Sequence, residues 1–181
     1  MVDRRIGTSP AHARTAHPPL PARPLVHAQL KSTALFVLAL ASVSALKRTI
    51  VNTPGAPGAI GPYSQAVVLQ WNSGETKIQA AGQIGLDPTT GELVPGGISN
   101  QTARAMDNIK AIMEAGGAKM ADIVECTVLM QDLKDYAALN AVYATYFDAA
   151  NAPARAAFQV VALPEAALTE IKCSAALTTE S

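Results

Sequence analysis

Histidine is missing from most of this sequence. The chain has 181 residues and three histidines, all of which lie within its first 46 residues (His12, His17 and His27). Residues 47–181 therefore cannot form a Ser–His or Cys–His catalytic pair, and they offer no imidazole ligand to a metal ion. We expect this part of the chain to hold no metal.

Cysteines and aromatic residues are also few. The two cysteines, Cys126 and Cys173, are far apart in sequence, form no CxxC motif and each lie in a strand-like run. They are therefore expected to be reduced thiols within the core. Aromatic residues make up only 4% of the chain although hydrophobic residues make up 49%, so the core is predicted to be mostly aliphatic.

The sequence has no apolar run long enough for an ordinary membrane-spanning helix. Ala34–Leu46 is an uninterrupted apolar or small-residue stretch of 13 residues, and Lys47 and Arg48 end it. Formal net charge is zero, but residues 47–181 carry nine basic and thirteen acidic residues. A domain with this balance has no electrostatic footprint for nucleic acid. We expect neither a nucleic-acid partner nor a membrane for the folded domain.

Residues 1–46 differ from the rest of the chain. They hold five basic residues and one acid, and the first 33 are rich in Pro, Ala, Arg and His without periodicity. This composition predicts a disordered targeting leader for a mitochondrion or a plastid. The apolar run and the small residues Ser42–Ala45 near its end would alternatively suit the hydrophobic region and cleavage site of a secretory signal. A misassigned start codon would leave the protein in the cytosol. Residues 47–181 are predicted to form one domain.

Residues 47–181 read as strands and helices in the order ββαβαββ. The predicted strands are Ala66–Trp71 and Lys77–Gly82 around an Asn72-Ser73-Gly74 turn, then Asp122–Met130, Arg155–Val161 and Thr169–Leu177. The first helix is capped by Ser99 or Asn100 and stopped by Gly116, and the second runs from about Lys134 to Ala149. This pattern predicts an α+β fold, with two helices on one face of a single mixed sheet. The other face keeps apolar residues, which favours self-association.

Two charged residues stand at the start of the last two predicted strands. Arg155 follows Pro153, and Glu170 opens the final run. Arginine binds a carboxylate through two parallel N–H donors, and a carboxylate can hold or activate a water molecule. If the two strands lie together, both groups could reach one pocket. A cross-strand ion pair or two solvated charges would explain the same residues.

Three motifs occur in order around these charges. The first motif is Ala59–Ala66 and the second is Ala81-Gly82-Gln83-Ile84. The last consists of Pro153-Ala154-Arg155, Ala162-Leu163-Pro164 and Thr169-Glu170-Ile171. Together they resemble the RidA family, also called the YjgF family, over about residues 47–177. The resemblance implies a chorismate-mutase-like fold that forms homotrimers, with three sites at the subunit interfaces.

The resemblance also implies an activity. RidA proteins hydrolyse 2-imino acids and their enamine tautomers, which pyridoxal-phosphate enzymes release, to 2-keto acids and ammonia, without a cofactor. Arg155 would then bind the substrate carboxylate and Glu170 would hold the attacking water. The remaining site residues implied are Tyr63, Gly82, Tyr136, Asn140 and the backbone carbonyl of Ala157. Two positions depart from some members, which have Ser at Ala81 and Cys at Ala157.

Two other classes of function remain open for a protein of this family. Members have been described as ribonucleases and as chaperones. A ribonuclease needs an acid–base pair and phosphate contacts, which the acidic, histidine-free domain does not favour. A regulatory or chaperone-like protein that binds small ligands would need Arg155 but not Glu170.

Overall fold

One mixed sheet of seven strands dominates the computed structural model, which describes residues 46–178. The strands are β1 Lys47–Val51, β2 Ala66–Gln70, β3 Glu75–Ala80, β4 Gln83–Ile84, β5 Ile123–Met130, β6 Ala154–Gln159 and β7 Thr169–Thr178. Their order across the sheet is β1-β2-β3-β7-β5-β6, with β4 also paired to β7. The pairs are antiparallel except for β5 and β6, which run parallel.

Two helices, α1 (Gly97–Ala115) and α2 (Tyr136–Tyr143), connect the strands. α1 leads from β4 to β5, and α2 lies in the crossover between the parallel strands β5 and β6, as parallel pairing requires. Both helices bury their apolar side chains against the same face of the sheet. The prediction of a single mixed sheet with two helices is confirmed.

The core between helices and sheet is aliphatic, as composition predicted. Its fully buried side chains include Ile78, Ile109, Ile112, Val128 and Ile171. Residues that alternate with them along the strands point to the opposite face, because successive side chains of a strand point to opposite sides. That open face carries a second set of apolar residues: Ile50, Val67, Leu69, Leu129 and Phe158. Ile50 is 45% exposed and Phe158 is 54% exposed.

Two strands, β1 and β4, and two helix ends differ from the prediction made from the sequence. β1 is an edge strand with four of its five residues exposed, and β4 has only two residues, so neither shows a burial pattern. α1 begins two to three residues before the predicted caps, because Gly96 adopts a left-handed conformation (φ 101°) and the Asn100 amide donates instead to the Pro95 carbonyl. α2 ends at Tyr143 and gives way to short 3₁₀ turns at Ala144–Tyr146 and Ala149–Asn151.

The last two strands of the chain are not neighbours. β7 is paired on one edge with β3 and on the other with β5, and β6 pairs with β5 at the edge of the sheet. The strands of Arg155 and Glu170 therefore do not lie side by side, which was the condition for both charges to reach one pocket. β5 separates them, because the crossover through α2 places β6 parallel to β5 and leaves β7 to pair antiparallel on its other side.

The cysteines are not reduced thiols, contrary to expectation. Cys126 on β5 and Cys173 on β7 lie directly opposite each other, with their Cα atoms 4.1 Å apart, and form a disulfide. Both are buried in the core. A sequence separation of 47 residues hides this contact, which only the antiparallel register creates.

No helix within residues 46–178 is long and apolar enough to cross a membrane. The predicted leader and its alternatives fall almost entirely outside the described residues.

The disulfide should contribute measurably to stability. Closing a loop whose ends are 47 residues apart is worth about 4 kcal/mol in the chain-entropy treatment, less any native strain. A reductant should therefore move the guanidinium unfolding midpoint of the wild-type protein to lower concentration. The double variant Cys126→Ala/Cys173→Ala is the control and should not respond to reductant. An unchanged wild-type midpoint, with reduction verified by mass spectrometry, would contradict the expectation.

Candidate active site

Arg155 lies on the edge strand β6, on the face that the helices cover. Arg155 is paired with Cys126 of β5, whose side chain points into the core. Because directly paired residues of adjacent strands point to the same face, the Arg155 side chain lies on the core side of the sheet. β6 has no strand beyond it, so the arginine side chain reaches past the sheet edge toward α2. This position puts a guanidinium at the boundary between core and solvent.

Two tyrosines of α2 hold the guanidinium. Nη2 of Arg155 donates a hydrogen bond to the Tyr136 hydroxyl at 2.9 Å. The Arg155 Cζ atom lies 4.6 Å from the centre of the Tyr143 ring and 5.6 Å from that of Tyr136. No carboxylate within residues 46–178 forms an ion pair with it. The arginine is thus oriented by aromatic faces while its charge remains without a protein counter-ion.

The pKa values of the two tyrosines shift in opposite directions. The pKa of Tyr136 lies below its usual value, because a hydrogen bond from Asn140 and the charge of Arg155 favour its phenolate. Burial raises the pKa of Tyr143 to about 12, against the lowering effect of Arg155. Tyr143 therefore stays neutral under Arg155 and serves as an aromatic surface, while Tyr136 presents a partly exposed hydroxyl next to the guanidinium.

Depressions flank Arg155 on both sides. One has a volume of about 410 Å³ and is lined by Arg155 together with residues of α2 and the segment that follows it, including Asn140, Tyr143 and Phe147. The other is a shallow hollow of about 370 Å³ lined by Leu133, Tyr136 and Ala157. Ala157 lies two residues beyond Arg155 on the same face of β6. These residues form what we call the arginine half-site.

Glu170, Gly82 and Tyr63 form a second group, the glutamate half-site. The Glu170 carboxylate lies directly over Gly82, so closely that a Cβ on Gly82 would lie 2.8 Å from Glu170 Cδ and overlap Oε1. Gly82 and Tyr63 line one small depression of about 30 Å³. A space of this size is on the scale of one water molecule and is too small for an amino-acid-sized ligand.

A buried glutamine shapes the loop that presents Tyr63. The Gln65 amide donates to the carbonyls of Ala56 and Pro57, and its Oε1 accepts from the Thr53 backbone N–H at 2.7 Å. The Tyr63 hydroxyl in turn accepts from the Ile60 N–H at 3.2 Å. The Gly/Pro-rich segment before β2 is therefore an ordered loop that places Tyr63 at the surface.

Glu170 is half-buried and has no hydrogen-bond or ion-pair partner within residues 46–178. Burial raises the pKa of its carboxyl group. A desolvated carboxylate without a partner is a stronger proton acceptor than an exposed one, which is the property required to activate a water molecule.

The two half-sites lie on opposite faces of the sheet. Glu170 is paired with Leu129, which lies on the open face between the buried residues Val128 and Met130. Arg155 is on the helix-covered face, roughly 10 Å away along the strands and about 10 Å across them. The hypothesis that both charges reach one pocket is therefore wrong for a single chain, and so is the alternative of a cross-strand ion pair.

Tyr143, Phe147 and Leu133 belong to the arginine half-site but are not among the residues predicted from the sequence. Of these, Tyr143 stacks against Arg155 and is also a core residue of α2. Tyr136, Asn140 and Tyr143 are spaced i, i+4, i+7, which places them on one helix face. That spacing beside a lone arginine is the signal that would have found it. No cluster of three or more His, Cys, Asp or Glu side chains suited to a metal occurs in the part of the chain that the structure describes.

Comparisons with known proteins identify the family of this chain. Residues 53–177 match the family model described as Endoribonuclease L-PSP. The human 2-iminobutanoate/2-iminopropanoate deaminase is 43% identical over 133 residues, which are 74% of this chain and 93% of that protein. The chloroplastic Reactive Intermediate Deaminase A of Arabidopsis thaliana is 39% identical over 136 residues, 75% of this chain and 70% of that protein.

Solved structures share the fold. The crystal structure of the Escherichia coli YjgF gene product is 42% identical, with a TM-score of 0.62, and the match covers 70% of this chain and 97% of that one. The structure of Escherichia coli TdcF with bound serine is 38% identical, with a TM-score of 0.64, over 72% of this chain and 99% of that one.

Gly82→Ala should disable the glutamate half-site with little loss of stability. The new methyl group would occupy the position of the Glu170 carboxylate, which can swing away because it ends a flexible side chain. Any activity that depends on Glu170 should fall by on the order of 10²-fold, while the unfolding midpoint changes little. Gly58→Ala is the matched control: it adds a methyl group to the lining of the same depression, but that group meets no atom within 4 Å and leaves the Glu170 carboxylate in place. Equal activities of the two variants would show that the carboxylate position is unimportant.

Proposed function

We propose a function from the family to which this chain belongs, the Endoribonuclease L-PSP family, which includes the RidA proteins. In this proposal the protein hydrolyses reactive 2-imino acids to 2-keto acids and ammonia. Relatives more than 40% identical are named for this reaction on 2-iminobutanoate and 2-iminopropanoate. The observation that carries the proposal is Arg155, a guanidinium that two tyrosines hold and that has no carboxylate partner among residues 46–178. It suits a small ligand with one carboxylate, the group that serine brings to TdcF.

We further propose that the working site lies between two subunits of a homotrimer with a chorismate-mutase-like fold. One chain cannot bring Arg155 and Glu170 together, because they occupy opposite faces of its sheet. The open face carries apolar residues that a monomer would leave in water, including Phe158 and Ile50. Packing the open face of one copy against the edge strand of the next would bury these residues and join an arginine half-site to a glutamate half-site.

In this composite site the substrate carboxylate binds bidentately to Arg155, whose Nη2–Tyr136 hydrogen bond fixes the plane of the guanidinium. Glu170 of the neighbouring subunit accepts a proton from a water molecule as its oxygen attacks C2 of the protonated C=NH2+ group, which gives a neutral carbinolamine. Glu170 then returns this proton to the carbinolamine nitrogen. The C–N bond breaks to expel ammonia as the hydroxyl group loses its proton to water, which leaves the 2-keto acid. The reaction needs positioning and charge placement only, so no cofactor is required.

The carbonyl of Ala157 is proposed to help hold the water, and Tyr63, Gly82 and Asn140 to line the site. Ala157 removes any thiol chemistry at that position, and Ala81 removes a hydroxyl beside Gly82. Both substitutions are proposed to change substrate range rather than the reaction.

Ribonuclease activity, which the name of the family model suggests, is less well supported. The excess of acidic residues in 47–181 would repel a phosphate backbone. A regulatory protein that only binds keto or imino acids would use the arginine half-site alone, and turnover distinguishes it from the enzyme.

The leader, residues 1–46, is proposed to direct the protein to a mitochondrion or plastid, in keeping with the chloroplastic relative. Mass spectrometry of the protein from its native cells would show an N terminus near residue 46, and an intact Met1 would contradict this.

The deaminase proposal can be tested by trapping. Threonine dehydratase with threonine releases 2-iminobutanoate. Semicarbazide reacts with this imine in competition with its hydrolysis. The protein should suppress semicarbazone formation and accelerate release of ammonia. Arg155→Lys keeps the charge but lacks the planar fork, so its kcat/KM should fall by at least about tenfold. A wild-type protein that binds 2-oxobutanoate in calorimetry without accelerating imine decay would establish the regulatory alternative instead.

Complementation tests the composite site. Arg155→Ala and Glu170→Gln should each form inactive homotrimers, with the trimer mass measured by light scattering. In trimers mixed at random, about one quarter of the interface sites would combine an intact arginine with an intact glutamate. Co-expression of the two variants should therefore restore roughly that fraction of wild-type activity. A monomeric protein, or mixed trimers with no recovered activity, would refute a site shared between subunits.

The pH dependence should report Glu170. The carboxylate must be ionised to accept a proton, and burial raises its pKa, so activity should decline on the acid side at higher pH than an ordinary glutamate would give. Glu170→Gln should abolish that decline along with most turnover. The pKa of Glu170 is higher in the folded than in the unfolded protein, so its ionisation lowers the free energy of unfolding as the pH rises. Glu170→Gln should therefore be no less stable than the wild-type protein at neutral pH. A lower unfolding midpoint in the variant would contradict this assignment.

A further inference from the structure

We propose that two charges in the middle of the open face make it selective for a second copy of this chain, through a contact between Glu125 of one copy and Lys172 of the next. This inference rests on the proposed homotrimer and adds what selects its subunits. Glu125 lies on β5 and Lys172 on β7, which are neighbouring interior strands of the sheet.

Both charges line one hollow on the open face, which we call the polar hollow. Its volume is about 110 Å³, and its walls are Gln79, Glu125, Thr127, Lys172, Cys173 and Ser174. Lys172 is paired with Thr127 and Glu125 with Ser174, so the two charges stand diagonally on adjacent strands. Both are exposed, and within residues 46–178 neither forms an ion pair. The single chain therefore leaves two opposite charges close together without joining them.

Apolar residues border the polar hollow on both sides. Toward β6 lie Ala154, Ala156 and Phe158, all of which are exposed. Toward β1 lie Leu69 and Ile50. A subunit of a closed ring has two neighbours and turns a different surface toward each of them. The two apolar borders match these two surfaces, so the polar hollow between them faces the symmetry axis.

Opposite charges in each copy are what a threefold axis requires. Symmetry places the same residues of every copy around the axis, so a lone carboxylate would meet its own repeats and be repelled. With Glu125 and Lys172 in each copy, the charges alternate in sign around the axis. The carboxylate of one copy then lies beside the ammonium group of the next. Such pairing is needed because a charge that is removed from water without a partner is strongly destabilising.

The same charges oppose other partners. Apolar borders alone would accept any apolar face of suitable shape, whereas charges that meet their own sign exclude a wrong partner. A chain in which the two charges were exchanged would set carboxylate against carboxylate, and ammonium against ammonium, at its contacts with this one. The open face therefore fits a chain with an acid at position 125 and a base at position 172, as this chain itself has.

The first experiment co-expresses two full-length chains that carry tags of different mass. The double variant Glu125→Lys/Lys172→Glu keeps the alternation within its own trimers, so it should assemble as the wild-type protein does. Random association of the two chains would give about three quarters mixed trimers. Native mass spectrometry should instead find at most about one in ten, because each contact between unlike chains joins like charges.

A matched control tests whether any exchange of charges has this effect. Lys110 and Glu114 are exposed on α1, the helix that covers the opposite face of the sheet. The double variant Lys110→Glu/Glu114→Lys makes the same two exchanges there. It should mix with the wild-type chain at random.

The second experiment distinguishes contacts between copies from a pair within one chain. Glu125→Lys alone leaves two bases in each hollow, and Lys172→Glu alone leaves two acids. Trimers of either single variant should dissociate at lower guanidinium concentration than the wild-type trimer, as measured by light scattering. Co-expression of the two should give mixed trimers that dissociate at higher concentration than either, since about two of every three contacts then join opposite charges. Mixing could not restore a pair within one chain.

The outcomes separate this inference from the proposed function. If wild-type and charge-exchanged chains mix at random, or if mixed trimers of the single variants are no more stable than the single variants, the contact between copies is overturned while the homotrimer and the deaminase stand. If the wild-type protein is a monomer, the shared site and this inference both fail. Selective trimers that do not accelerate imine decay would refute the proposed reaction and leave the inference in place.

Discussion

The alternation of side chains across a β-sheet governs how this protein can work. Arg155 and Glu170 come from strands that share one neighbour, β5, yet their register puts them on opposite faces. Each charge is therefore surrounded by different groups: aromatic rings of α2 around the guanidinium, and a glycine with a short loop around the carboxylate. Neither half-site is sufficient for chemistry that requires both groups. The same alternation leaves an apolar open face, so the property that separates the half-sites also creates the surface through which two copies could reunite them.

Electrostatics within each half-site follow from what surrounds it. Cation–π contacts orient Arg155 without neutralising it, whereas a carboxylate partner would have satisfied its charge and reduced its affinity for a ligand. Glu170 is half-buried and finds no donor in the described part of the chain to stabilise its ionised form, and burial raises the pKa of its carboxyl group. One half-site thus keeps a free positive charge for an anion and the other keeps a basic carboxylate. This division of roles supports the proposed hydrolysis over simple ligand binding.

The disulfide joins the two strands that connect these half-sites. Cys126 of β5 is paired with Arg155 of β6 on one side and with Cys173 of β7 on the other. The disulfide therefore lies in the same row of paired residues as Arg155. It lies in the core, away from the open face, and stabilises the β5–β7 pair without occupying either half-site. Its contribution is to the stability of the framework, and no step of the proposed reaction uses it.

Local sequence determined the strands with clear burial patterns, both helices and the turn at Asn72–Gly74, because periodicity and turn chemistry act within short stretches. It also brought Tyr136 and Asn140 together, since they lie one helical turn apart. Only tertiary structure decided which strands are neighbours, that Cys126 meets Cys173, that Tyr143 supports Arg155 and that Glu170 faces away from it. These are consequences of register between segments distant in sequence. A strand shows which of its residues share a face, but its partner and offset decide what that face meets.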